Sequence, residues 1–320
     1  MLREEIDQIA ARIAPYIRET PVERSDALSA ASGADVFIKL ENFQVTGSFK
    51  VRGALSRLSA MTSDERGRGV VGASSGNHGA ALAYGARRLE IPAVVFVPDY
   101  ADPSKVAAIQ RYGAEVRVHG SDCVDTERYA RKWAAERGRV YVSPYNDPHV
   151  VRGQGTLGVE IRNQLGPIDA VFIAVGGGGL IAGVGAYLKT FEESVEMVAC
   201  SPARSPAMHA CLEAGAIIDV PCESTWSDAT AGGVEAGAVT FEWCQRVVDR
   251  SLLVSEEAIS SAMRDFLDQQ HALIEGAAGV ALAGFQQTSR DYAGKRVVIV
   301  LCGANIGIQK LADLLLNAPS

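Results

Sequence analysis

The residues of this chain that could do chemistry gather in four short loops. In the first, KLENFQVTGSFKVRGA (residues 39–54), Gly47 and Ser48 open a helix with Lys50 in its first turn. The positive end of a helix dipole disfavours a cation. The same field lowers an amine's pKa and so makes it a nucleophile. Taken alone, the loop also suits a solvated surface lysine, the usual fate of that residue type. In the second, GASSGNHG (72–79), Ser74, Ser75, Asn77 and His78 stand among glycines, Gly76 included, at the start of a helix, where bare amides and the dipole favour an anion. Helix capping accounts for one polar residue there, not for four. The third, VGGGGL (175–180), offers consecutive bare amides at a helix start, a cradle for phosphate. It lacks the Gly-Lys-Ser/Thr of a Walker loop. It fits the loose dinucleotide pattern from Gly177 to Ala182, but Ser201 and Pro202 stand where that reading wants an acid. A monophosphate suits it better, and a purely structural turn remains open. The fourth, LCGAN (301–305), carries Cys302, a small thiol that could face a ring nitrogen or simply pack.

A helix-start lysine, a polar nest for a carboxylate and a phosphate cradle together describe an aldehyde cofactor with a phosphate tail and a substrate with a carboxylate. Pyridoxal 5′-phosphate has the first two features, and an amino acid supplies the third.

The loops need elements to hold them. Apolar runs of strand length recur at Val36–Leu40, Val70–Ala73, Ala93–Val97, Val116–Val118, Val140–Val142, Ala170–Val175, Met197–Cys200, Leu252–Val254 and Val297–Leu301. Helix-length amphipathic segments lie between most of them: Asn77–Leu89, Pro103–Tyr112, Cys123–Arg137, Thr156–Leu165, Leu180–Phe191 and Glu256–Gln270. Alternating strand and helix predict an α/β architecture of two lobes, each a mostly parallel twisted sheet flanked by helices. The expected division is a large lobe of 1–65 plus 150–320 and a small lobe of 66–149. Ligands in such sheets bind beyond the carboxyl ends of strands, where the four loops fall.

Composition excludes several classes. The formal charge of −7 on 320 residues argues against a nucleic-acid partner. The six cysteines form no C-x-x-C pair and no histidine cluster accompanies them, so no metal site is expected. The charged amphipathic N-terminus, MLREEIDQIAARIAPYIRET, is no signal peptide. No apolar run reaches membrane-spanning length, so no membrane partner is expected and the reading is cytoplasmic.

KLENFQVTGSFKVRGA, SSGNHG, GGGGL and CGAN, in this order and spacing, resemble the fold-type II (tryptophan synthase β-like) pyridoxal-phosphate enzymes. Most of all they resemble the threonine/serine dehydratases, with serine racemase and the hydroxyectoine-utilisation dehydratases nearby. The likeness runs over nearly the whole chain and overrides the surface reading of Lys50. It implies that Lys50 is tethered to the cofactor as an imine and later moves the Cα proton, with Phe49 packed beside it. It places Asn77 on the cofactor's phenolic oxygen, and Ser74, Ser75, Gly76, Asn77 and His78 around the substrate carboxylate. Gly176, Gly177, Gly178, Gly179 and Leu180 would hold the phosphate, Gly233 and Glu275 line the ring, and Cys302 face the pyridine nitrogen. A neutral partner there fits elimination better than transamination. Ser75 also matches the second acid/base of serine racemase.

The implied activity is removal of water from a β-hydroxy amino acid such as L-threonine or L-serine, giving a 2-oxo acid and ammonia. The alternatives are a racemase, a dehydratase or β-replacement enzyme for hydroxyaspartate, phenylserine or a hydroxyectoine-derived acid, and a binding protein that kept the fold. Relatives of this kind are commonly dimers, so the resemblance implies a homodimer. In several of them a Glu and a nearby acid bind a cation; Ser201 and Ala207 occupy those positions here, so that site is not expected. Gly232 replaces a common Asp. The chain ends at Ser320 without the regulatory domain of the biosynthetic enzymes, so feedback by isoleucine is not expected.

Overall fold

A computed structural model describes residues 2–316. Ten strands occur among them: β1 (Val22–Arg24), β2 (Asp35–Lys39), β3 (Val70–Ala73), β4 (Ala93–Val97), β5 (Glu115–Val118), β6 (Val140–Tyr141), β7 (Ala170–Ala174), β8 (Glu196–Pro202), β9 (Arg250–Val254) and β10 (Arg296–Val300). They form a six-stranded sheet in the order β1-β2-β10-β7-β8-β9 and a four-stranded sheet in the order β5-β4-β3-β6. All pairings are parallel except β1 with β2. The apolar runs marked the strands well because the central ones are covered on both faces; β7 is buried throughout. β1 was not anticipated: Val-Glu-Arg is short, polar and lies at the edge. The boundaries expected at 65/66 and 149/150 fall inside the Ser63–Arg68 and Pro148–Leu165 helices.

The Pro148–Leu165 helix begins before its expected start at Thr156. Asp147 caps it, accepting from the amides of His149 and Val150, and Pro148 occupies its first turn. Its glycines blurred the periodicity, but they serve packing against the Gly179–Leu188 helix: a Cβ on Gly155 would stand 2.9 Å from the Gly183 carbonyl oxygen. At the other end of the chain, the amphipathic segment forms the Leu2–Ile13 helix and buries Ile6, Ile9 and Ile13.

The large core centres on β7, β8 and β10, with Phe172, Phe285 and Tyr292 packed edge to face. The small lobe packs Val70, Val95, Val97, Leu82 and Ile109. A third cluster joins the lobes: Val51, Ala54 and Leu55 of the Lys50–Ser59 helix meet Ile9 and Ile13 on one side and Ala81 and Tyr84 on the other.

Beneath that helix lies a nest of buried charge. Arg52, fully buried, gives Glu41 two hydrogen bonds (2.8 and 2.7 Å) and reaches Glu160 at 2.7 Å. The Lys39 ammonium donates to Glu160 at 2.5 Å and to the Thr20 carbonyl at 2.6 Å. Burial alone would raise Glu41's pKa, but Arg52 and Lys39 hold it below the ordinary carboxylate range. Two cations thus face two anions, and the helix that begins at Lys50 is tied to β2 and to the Pro148–Leu165 helix.

Candidate active site

The Lys50 loop is sewn to the loop after β10. Phe49 N donates to Cys302 O (3.0 Å), Ala304 N to Gly47 O (2.9 Å), and Ser48 bridges Gly303. Gly47 sits at φ +72°, with Asn305 in the space a side chain would need. Lys50 is the first residue of its helix, which has no side-chain cap. Its ammonium lines a cavity between the lobes and donates to one group, the Pro144 carbonyl at 3.0 Å. Burial lowers its pKa to about 8, against smaller opposing contributions from Cys302 and Glu275. Desolvation is thus the leading cause of the amine's activation.

The same cavity is lined by Phe49, Asn77, Gly176, Gly177, Gly178, Gly179, Leu180, Glu275 and Cys302. The glycine loop leaves β7 and turns into the Gly179–Leu188 helix through Gly178 at φ +83°, a left-handed conformation that disfavours any side chain. A Cβ on Gly177 would come within 2.4 Å of the Tyr145 ring. The loop therefore presents backbone rather than side chains to its surroundings.

Asn77 opens its own helix and is held at both ends. Its amide donates to Glu275 Oε1 (2.7 Å), and its carbonyl accepts from Asn305 Nδ2 (2.6 Å). Glu275 also accepts from Asn305 N at 3.1 Å. Among the described residues no cation forms a salt bridge with Glu275, and burial, then Asp228, pushes its pKa up to about 7. Burial, then Glu275, raises the Cys302 pKa well above the ordinary thiol value, so it stays neutral.

Ser75 and Gly76 line a second cavity, with Thr46, Tyr112 and Asn305. Asn77 lines the first cavity and Asn305 the second, and their side chains are hydrogen-bonded. Three expected residues lie outside both. His78 is turned into the small lobe, with Nε2 donating to the Val142 carbonyl at 2.8 Å, and burial followed by Lys50 lowers its pKa to about 4. Its ring is a satisfied core group rather than a carboxylate ligand. Ser74 Oγ accepts from Gly76 N (3.2 Å) and shapes the loop locally. Gly233 is exposed, because the chain swings outward at Gly232, where φ is +116°. Ala229 and Thr230 line the cavity in its place.

Pro144 and Tyr145 were missed. They follow β6, so the strand-end rule that located the other loops could have found them. Thr230 carries no such signal.

The residues present fit pyridoxal phosphate. A desolvated lysine amine has one carbonyl partner, a backbone cradle has no room for side chains, and a neutral thiol stands nearby.

Comparison with known proteins agrees with this geometry. The family model described as "Pyridoxal-phosphate dependent enzyme" matches residues 13–303. The chain is 36% identical over 314 residues to an L-threonine ammonia-lyase of Thermotoga maritima, covering 98% of this chain and 78% of that protein. The processed form of threonine deaminase isoform 2 from Solanum lycopersicum superposes with a TM-score of 0.94 at 32% identity, covering 100% of this chain and 94% of that one. Maize serine racemase gives 0.91 at 31% identity, covering 98% and 96%.

Proposed function

Given that this chain belongs to the pyridoxal-phosphate dependent enzyme family, we propose that it eliminates water from a small β-hydroxy amino acid such as L-threonine or L-serine, releasing a 2-oxo acid and ammonia. The observation that carries the reading is the Lys50 amine, desolvated in the cavity beside the glycine loop and hydrogen-bonded to the Pro144 carbonyl. When bound, pyridoxal phosphate supplies an aldehyde for that amine and an electron sink for charge left at Cα. Lys50 holds the cofactor, and its amine, once released, takes the Cα proton. The backbone of Gly176, Gly177, Gly178 and Gly179 receives the phosphate. Asn77, fixed by Glu275 and Asn305, orients the ring from its phenolic side. Cys302 keeps a neutral thiol in the cavity and offers no charge to a ring nitrogen. Tyr145 and Thr230 help close the space against water.

Racemisation needs a second acid/base on the far face of Cα. Ser75, the candidate, lines the second cavity and Lys50 the first, and the preference for elimination rests on the likeness to L-threonine ammonia-lyase. A panel of β-hydroxy amino acids given to the purified enzyme, with 2-oxo acid measured, tests the reading. Release from serine or threonine supports it. Recovered substrate that is inverted and carries solvent deuterium, with no 2-oxo acid, replaces it with the racemase.

A further inference from the structure

One segment of the large lobe is held from both lobes: Lys310 of the large lobe pairs with Asp228 at 3.5 Å, and the small lobe grips the same segment further on. Residues 228–239 run as a strap across the mouth of the Lys50 cavity. Ala229 and Thr230 line that cavity, and a side chain on Gly176 would meet the Thr230 backbone at 2.9 Å. Beyond them Val234 packs on the large core and Ala238 is buried, but the glycines stand open. Side chains added at Gly232, Gly233 or Gly237 would meet nothing within 4 Å. Its large-lobe anchors include Ser205 Oγ, which accepts from Gly232 N at 3.1 Å.

The small lobe supplies a denser set of contacts, and they converge on Glu235. The Glu235 amide donates to the Tyr145 hydroxyl (3.0 Å), Asn146 Nδ2 donates to Glu235 Oε2 (2.9 Å), and Arg131 donates to Glu235 Oε1 (2.8 Å). Asn146 Oδ1 also accepts from Val239 N at 2.9 Å. At the other end of the strap, Lys105 of the small lobe pairs with Asp228 at 3.1 Å. Tyr145 takes part twice: its ring covers Gly177, with its Cβ and backbone against Gly179, and its hydroxyl holds the strap.

We propose that the strap is a lid over the glycine loop whose closed position is set by the small lobe, with Tyr145, Asn146, Arg131 and Glu235 as its positioning residues. Moving the small lobe away releases the Glu235 contacts, so opening the cleft and loosening the lid are one event. Arg131 and Glu235 are partly exposed, which keeps the latch weak enough to open in each turnover.

Hydrogen exchange on the holoenzyme, read amide by amide over 231–237, tests this. Glu235→Ala removes the Arg131 and Asn146 contacts, and exchange in that stretch should rise on the order of tenfold, while β7 and β8 stay protected. Tyr145→Phe removes one hydrogen bond and should raise it about fivefold. In Glu235→Ala the Michaelis constant should rise more than kcat falls, and Glu235→Gln, which keeps one acceptor, should recover part of the loss. Unchanged exchange at 231–237 in both variants overturns the proposal. So does exchange that rises equally in the β7–β8 core, since that marks a general loss of stability.

Discussion

Lys39 and Lys50 flank one loop in opposite company, Lys39 fully buried and Lys50 partly buried at a cavity. Lys39 is clamped between the Glu160 carboxylate and the Thr20 carbonyl. Lys50 has a single carbonyl partner and a cavity in front of it. Two carboxylates repeat the contrast. Glu41 takes both arms of Arg52, whereas Glu275 accepts only from amides. Burying charge is costly even when it is paired, and removing one partner costs more. The nest below the Lys50–Ser59 helix therefore fixes where that helix lies. The cavity above withholds partners, and pKa values drift toward neutrality: about 8 for Lys50 and about 7 for Glu275. Pairing makes a frame, and its absence leaves groups able to change protonation state during a reaction.

The contrast can be broken from either side. Lys50→Ala should lower turnover by more than about 10³-fold and abolish cofactor absorbance at the violet edge of the visible. A variant that keeps both would remove Lys50 from its role. Arg52→Met strands Glu41 and leaves Glu160 to Lys39 alone, and should cost about 3–5 kcal/mol in a denaturant melt, with the absorbance kept in the molecules that fold. Glu275 tests the unpaired side. Its folded pKa lies above the ordinary carboxylate value, so its stabilising effect is complete below about pH 4.5 and is lost as pH rises through about 7. Wild-type stability should therefore fall between these values relative to Glu275→Gln, on the order of a few kcal/mol, and parallel pH curves would contradict the assignment. In cofactor-free protein the neutral fraction of Lys50 should grow about tenfold per pH unit and level off above pH 8, so capture of added pyridoxal phosphate should follow the same curve. Stopped-flow absorbance reads this directly. The smallest effect is expected from a chelator. With Ser201 and Ala207 at the positions in question, activity should change less than about twofold.

What the sequence showed, and what it hid, follows the same physics. Central strands such as Ala170–Ala174 stood out because a parallel sheet covered on both faces needs unbroken apolar runs. Lys50, Asn77 and the glycine loop stood out because backbone chemistry confines them to strand ends. His78 misled because a buried imidazole and a ligand imidazole look alike in sequence. Here the Val142 carbonyl, supplied from 64 residues away, decides between them. Tyr145 follows β6 and lay within reach of the strand-end rule, whereas Thr230 meets the cavity from a loop packed against Gly176, which no local pattern records.

The Lys50 loop is bonded to residues 302–304, and β10 lies between β2 and β7. During synthesis, then, the chain makes its amine early and the strand that seats it among the last. Until the ribosome delivers β10, the larger sheet has a gap at its centre, with two unpaired edges facing each other across it. A nascent chain must shield those edges for most of its translation, and it becomes competent to take up its vitamin-derived partner only near the end.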